Sequence, residues 1–149
     1  MSAGAMPRVS RACSAMGLVT ALVSGCQGAG KGQAAALDDA LDRYRRAVGP
    51  ERASASRALA EVPCTGSDVC AAKETCLAAV DSTTRAFALK DEVALAVGDL
   101  QAKRMAPDAA AAQALPGKLD EATLLLGQGR GKMADCEKML VDLRLHYGH

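Results

Sequence analysis

Apolar residues recur at alternating spacings of three and four along the last third of the chain, the period of a helix with one buried face. The same period runs from about residue 67 to Lys103, and no segment shows the alternation that marks a strand. The chain therefore predicts two long helices. We call the line of positions that recur at this period along one face of a helix its seam. The seam of the first helix comprises Val69, Ala72, Cys76, Ala79, Thr83, Ala86, Lys90, Val93, Val97 and Leu100. The seam of the second comprises Leu119, Ala122, Leu126, Gly129, Met133, Cys136, Leu140, Leu143 and Tyr147.

Glycine and proline divide the rest of the chain. A helix from about Gln33 is interrupted at Gly49-Pro50, and a shorter piece then runs to Pro63. A turn at Ala106-Pro107-Asp108 joins the two long helices, with a helical segment after it and a kink at Pro116-Gly117. We expect an all-α domain over residues 33–149, a helical hairpin with an N-terminal helix laid along it like a three-helix bundle. The seam of that N-terminal region comprises Leu37, Leu41, Tyr44, Val48, Ala55, Leu59 and Val62.

Composition limits the partners of this domain. The chain has 149 residues, a formal net charge of +1, no Trp and 2% aromatic residues. Such a chain has neither the basic field nor the aromatic side chains that nucleic-acid binding uses. Its core depends on Ala, Leu, Val and Met, and alanine favours helices over sheets.

The N-terminus has the pattern of an export signal. Arg8 and Arg11 precede an apolar stretch from Ala12 to Val23, which is too short to span a membrane. The stretch closes on Val23-Ser24-Gly25-Cys26, which resembles the lipobox of bacterial lipoproteins. The alternative is an ordinary secretory signal, and Met6 is an alternative start.

The lipobox resemblance implies a destination. It implies that residues 1–25 are a signal peptide and that Cys26 carries the lipid, such as palmitate, that anchors the protein to a membrane outside the cytosol. We expect residues 26–32, which are rich in glycine, to form a flexible tether. In a cell with two membranes, Gln27, rather than Asp, directly after the lipidated cysteine resembles lipoproteins that are sorted to the outer membrane. The alternative location for the protein is the periplasmic face.

Four further cysteines indicate disulfides in an oxidising compartment. Cys70 and Cys76 lie about 9 Å apart along one helix, too far to pair. A hairpin that turns at Ala106-Pro107 places Cys76 opposite Cys136 and leaves Cys64 to pair with Cys70. The other connectivity, Cys64–Cys76 with Cys70–Cys136, requires a register slip of about one and a half turns. Zinc and redox centres are disfavoured, because neither closely paired ligands nor Cys-x-x-Cys is present.

Two glycine-rich segments imitate nucleotide-binding motifs. Residues 25–31 spell G-x-x-x-x-G-K, but Gly32 follows where Ser or Thr is needed. Gly127, Gly129 and Gly131 lie inside the last seam, and we expect them either to make room for Phe87 or to break the helix locally. Neither segment predicts a nucleotide or another cofactor.

No catalytic set can be named. His146 and His149 stand at the C-terminus, where a metal site is disfavoured, and no histidine lies in the body of the domain. Lys90 falls on a seam, and we expect its charge to reach solvent or to pair with Glu121.

The sequence thus predicts a non-enzymatic lipoprotein of the cell envelope. We expect a structural or protein-interaction role, with the membrane bound through Cys26 and another envelope protein as partner. The alternative is a carrier of small apolar ligands or lipids. An apolar groove with a few polar groups would favour the carrier, and a featureless charged exterior would favour the interaction role.

Overall fold

The part of the chain that the structure describes is mainly helical. The computed structural model describes the backbone of residues 24–148 and the side chains of residues 28–148, and this part contains helices and turns without a strand. The prediction of an all-α fold is confirmed. The elements are α1 (Ser24–Arg46), α2 (Glu51–Glu61), α3 (Ser67–Gln101), α4 (Ala110–Gln113) and α5 (Leu115–Tyr147).

Helices α3 and α5 form a long antiparallel hairpin. They contain 35 and 33 residues, which corresponds to about 50 Å each. Helix α3 ends at Gln101, slightly before the expected turn, and Lys103 takes a left-handed conformation with φ of 57°. The backbone N–H groups of Arg104 and Met105 then donate to the carbonyl of Asp99.

The expected kink at Pro116-Gly117 is wrong. Pro116 lies in the first turn of α5, where its missing N–H removes no helical hydrogen bond and its fixed φ suits the helix. The proline therefore begins the helix, and α5 continues without interruption through Gly127, Gly129 and Gly131.

Helices α1 and α2 cover only one end of this hairpin. Helix α1 runs antiparallel to α5, since Asp38 pairs with Arg144 and Arg45 pairs with Glu137 further along, each at 2.6 Å. The Tyr44 hydroxyl donates to the carbonyl of Val80 on α3 at 3.2 Å. Helix α2 then folds back beside α1 and α3. The main core lies here and includes Leu37, Leu41, Leu59, Val69, Val80 and Leu140.

The seam predicted for the N-terminal region is mostly confirmed. Leu37, Leu41 and Tyr44 are buried, and so are Leu59 and Val62. Val48 is 67% exposed, because α1 ends at Arg46 and the chain turns away at Gly49-Pro50 before another helical turn can bury it.

The expected flexible tether over residues 26–32 is corrected, because these residues belong to α1. Gly30 is buried against the ring of Tyr147, where a Cβ would come within 2.7 Å of Cε1. Lys31 Nζ donates to the carbonyl of Gly148 at 2.9 Å. Glycine has a low helix propensity, but tertiary contacts with the end of α5 hold this segment in a helix. The segment predicted to be a signal peptide, residues 1–25, lies almost wholly outside the described residues.

Both predicted disulfides are present. Cys64 pairs with Cys70 across the turn into α3, with their Cα atoms 5.2 Å apart. Cys76 pairs with Cys136 across the hairpin, with Cα atoms 4.8 Å apart. Cys76 and Cys136 are fully buried in the main core, so this bridge fixes the register of α3 against α5 at the level that α1 covers.

The structure gives another reason for the glycines of α5 than room for Phe87 or a local break in the helix. Only Gly129 is in close contact: a Cβ there would collide with Thr83 Oγ1 and lie 3.3 Å from the carbonyl oxygen of Ala79. Gly127 and Gly131 have open space around them. Gly129 therefore allows the close approach of α5 to the Thr83 turn of α3, and Phe87 is not the side chain that requires it.

Alanine substitution of the three glycines separates these roles. We expect Gly129→Ala to destabilise the fold by about 1–3 kcal/mol through overpacking. Gly127→Ala and Gly131→Ala are matched controls that should stabilise it by about 0.5–1 kcal/mol through helix propensity. Urea unfolding of the three variants measures the difference, and a gain for Gly129→Ala similar to that of its neighbours would contradict this packing.

The two disulfides should contribute unequally to stability. In the chain-entropy account, the bridge that spans 60 residues stabilises by about 4 kcal/mol and the one that spans 6 residues by about 2 kcal/mol. Replacing Cys76 and Cys136 by alanine should therefore lower the melting temperature more than replacing Cys64 and Cys70. Equal losses in thermal unfolding would show that the long-range bridge adds no extra constraint.

Candidate functional site

The far end of the hairpin projects beyond α1 and α2. Arg52 of α2 contacts α3 at Phe87, and Tyr44 of α1 reaches Thr84. We call the paired helices beyond this level, residues 88–128, the stalk. The part of α3 within it, residues 88–101, extends for about 21 Å.

The stalk is thinly packed. Its buried apolar side chains are Val93, Leu115, Ala122 and Leu125. Lys118 pairs with Glu92 at 2.6 Å across the two helices, and the more distant pair of Arg85 with Glu121 lies at the level where the stalk begins. These exposed ion pairs contribute little to stability.

Large apolar side chains are exposed on the stalk. Leu95 is 73% exposed and Leu124 is 62% exposed, and Val97 and Leu119 are exposed to a lesser degree. Val97 and Leu119 belong to the predicted seams, but no third helix covers them. Exposed apolar side chains indicate a surface that binds another molecule where they form a contiguous patch, so the stalk is a candidate for such a surface.

A groove lies where α1 ends and the stalk begins. It has a volume of about 540 Å³, within the range of small-ligand sites. We call it the shoulder groove. Its apolar surface includes Phe87, Leu126 and Met133, and its charged rim comprises Arg45, Arg52, Arg130 and Glu137.

The arginines of the shoulder groove are held differently. The Arg52 guanidinium lies 3.7 Å from the centre of the Phe87 ring, a cation–π contact, and donates to the carbonyl of Ala47 at 3.2 Å. Arg45 donates to Glu137 at 2.6 Å. The carboxylate on the rim of the groove is therefore already paired. None of the ion pairs among residues 28–148 involves Arg52 or Arg130. The groove therefore keeps two positive charges that no carboxylate neutralises.

At the opposite end of the bundle, Asp68 joins the start of α3 to the end of α5. Its carboxylate accepts hydrogen bonds from the Tyr147 hydroxyl and the Val69 N–H, each at 2.9 Å. Desolvation raises the pKa of Asp68, but hydrogen bonds from the Val69 N–H, the Tyr147 hydroxyl and its own backbone N–H, together with the nearby His146, outweigh that effect, so the pKa lies below its usual value. The hydrogen bond to Asp68 raises the pKa of Tyr147. We call this region, with Gly30, Lys31 and Gly148, the basal end.

The sequence-predicted site residues do not converge on one place. Cys26 belongs to α1, but only its backbone is among the described parts of the structure. His146 is exposed with its ring 4.6 Å from that of Tyr147, and His149 lies outside the described residues. Of the two alternatives for Lys90, the structure shows the first: Lys90 is exposed to solvent, and Glu121 pairs with Arg85 at 3.8 Å instead.

Sequence periodicity missed the shoulder groove. Phe87 lies off the predicted seam of α3, and Arg52 lies 35 positions earlier in the chain. Their contact depends on how α2 folds back over α3, and spacing within either helix carries no signal of that.

Searches against known protein families, curated proteins and solved structures find no match to this chain. Within residues 24–148, no helix has an apolar stretch that could cross a bilayer. The described residues also contain no cluster of three His, Cys, Asp or Glu side chains arranged for a metal ion. The surfaces that remain as candidates are the stalk and the shoulder groove.

The Asp68–Tyr147 contact predicts a pH dependence of stability. The lowered pKa of Asp68 stabilises the fold above its unfolded pKa, about 3.9, and this contribution is lost as the pH falls through the folded value. The raised pKa of Tyr147 stabilises the fold below its unfolded pKa, about 10, and this contribution is lost as the pH rises through the folded value.

Tyr147→Phe tests this coupling. We expect the variant to raise the pKa of Asp68, measured by carboxyl NMR titration, and to weaken the pH dependence at both extremes. Tyr44→Phe is the matched control, because the Tyr44 hydroxyl bonds the Val80 carbonyl and Thr84 but no carboxylate. An unchanged Asp68 titration in Tyr147→Phe would contradict the hydrogen bond.

Proposed function

We propose that the protein is a non-enzymatic lipoprotein of the cell envelope, anchored through Cys26, that binds another envelope protein through its stalk. One observation carries this proposal: the stalk and the start of α1 lie at opposite ends of the molecule. An anchor at Cys26 would therefore present the exposed apolar residues of the stalk away from the membrane surface.

The arrangement of the basal end supports this orientation. Lys31 is hydrogen-bonded to Gly148, and Gly30 packs on Tyr147, so the first described turns of α1 are fixed to the bundle. Only a short segment separates Cys26 from this contact. A lipid on Cys26 would hold the basal end close to the membrane, with the hairpin axis directed outward.

The alternative, a carrier of small apolar ligands, also has an observation in its favour. The shoulder groove has apolar walls and a few polar groups, which is the composition that a carrier needs. The groove is open to solvent along one side, whereas ligand carriers bury most of the ligand surface. We therefore retain the interaction role as the primary function.

Site-directed photo-crosslinking in intact cells tests the proposal. A photoreactive residue at Leu95 or Leu124 should give a discrete protein adduct, because both side chains project from the stalk. Leu145, which is 79% exposed at the other end of α5, is the matched control and should not give that adduct.

The same experiment tests the anchor. In Cys26→Ser the protein should leave the detergent phase, and the stalk adduct should decrease, because the protein no longer stays at the membrane. A wild-type protein without acyl mass, or adducts that are equal from Leu95 and Leu145, would contradict the proposal.

A further inference from the structure

The shoulder groove combines an apolar floor with positive charge that the protein does not neutralise. Phe87, Leu126 and Met133 supply the apolar surface, and each is half-buried. Glu137 is engaged by Arg45 at 2.6 Å. A ligand that complements the charge of the groove would therefore be an anion.

The position of Arg52 is set before any ligand arrives. Its guanidinium stacks on Phe87 and is tied to the carbonyl of Ala47, at the turn that ends α1. A planar guanidinium keeps further N–H donors for a carboxylate or phosphate oxygen when one face is stacked. Because the side chain is already ordered, an anion that binds it loses less conformational entropy on association.

Arg130 lies on α5 at the rim of the same groove and is exposed. It stands one helical turn from Leu126 and nearly one turn from Met133, so these residues share a face of the helix. A ligand that reaches Arg52 or Arg130 with its charged head thus lies against apolar side chains along the rest of its length.

We propose that the shoulder groove binds a single-chain amphiphile with an anionic head, held by Arg52 and Arg130, with its acyl chain along Phe87, Leu126 and Met133. The volume of about 540 Å³ suits one chain better than a two-chain lipid. This site does not use Leu95 or Leu124, the two side chains that test the partner interaction, so its failure leaves the proposed partner interaction intact.

Binding is tested with four twelve-carbon probes below their micellar concentrations, on full-length Cys26→Ser protein without detergent. Laurate and dodecyl phosphate are the anionic probes, and dodecyl maltoside and dodecyltrimethylammonium are the neutral and cationic ones. We expect saturable calorimetric binding of an anionic probe, at least about tenfold tighter than the others, since hydrogen bonds to charged groups have roughly this effect. The comparison of laurate with dodecyl phosphate shows whether the groove prefers a carboxylate head or a phosphate head.

Methyl NMR of labelled methionine locates the ligand. The Met133 signal should shift on binding, while Met105, in the turn at the far end of the stalk, should not. Arg130→Glu should weaken binding by about tenfold or more. Arg57→Glu, a charge reversal at an exposed position of α2 outside the groove, should leave it unchanged.

Three results would overturn the proposal. They are equal binding of the neutral and anionic probes, an unchanged affinity in Arg130→Glu with its melting temperature preserved, and binding that shifts Met105 and not Met133. Because Arg130 is exposed on the surface of α5, its substitution should not compromise folding. Leu126→Asp, which places a carboxylate on the apolar floor, is a second variant that should weaken the anionic probe.

Discussion

The close antiparallel pairing of α3 with α5 is the constraint on which the rest of the structure depends. The Cys76–Cys136 bridge fixes its register, and Gly129 lets α5 approach the Thr83 turn of α3. An alanine-rich seam buries little area per residue, so helices in such a core must lie close together to make enough contact. The bridge holds them there without large aromatic side chains.

That constraint explains why the molecule has two unlike halves. Where α1 and α2 add leucine side chains and Tyr44 to the hairpin, the core is continuous and fully buried. Beyond Phe87 the same two helices lack α1 and α2, with only the short α4 beside them, and residues of the predicted seam such as Val97 and Leu119 remain exposed. The stalk therefore has few buried side chains of its own, whereas the part of the hairpin that α1 and α2 cover contains most of the core.

The sequence predicts the fold well because its main signals are local and periodic. The seams of α3 and α5, the break at Gly49-Pro50 and the hairpin register followed from spacing, and the register in turn selected the disulfide pairing. The errors arose where tertiary contact overrides local preference. Glycine content indicated a tether over residues 26–32, but contacts with Tyr147 and Gly148 hold this segment in α1.

The shoulder groove could not be predicted from the sequence, for a related reason. It forms because the third helix position is filled by α1 only as far as Arg46, and α2 returns at an angle that no spacing rule specifies. Helix α2 brings Arg52 over Phe87, which lies off the seam and would otherwise be a surface aromatic. A three-helix bundle that changes into a two-helix stalk must leave a step at the level where the third helix ends. In this chain the step has apolar walls and an arginine rim, so the change in helix number also creates a place that offers a ligand both apolar contact and positive charge.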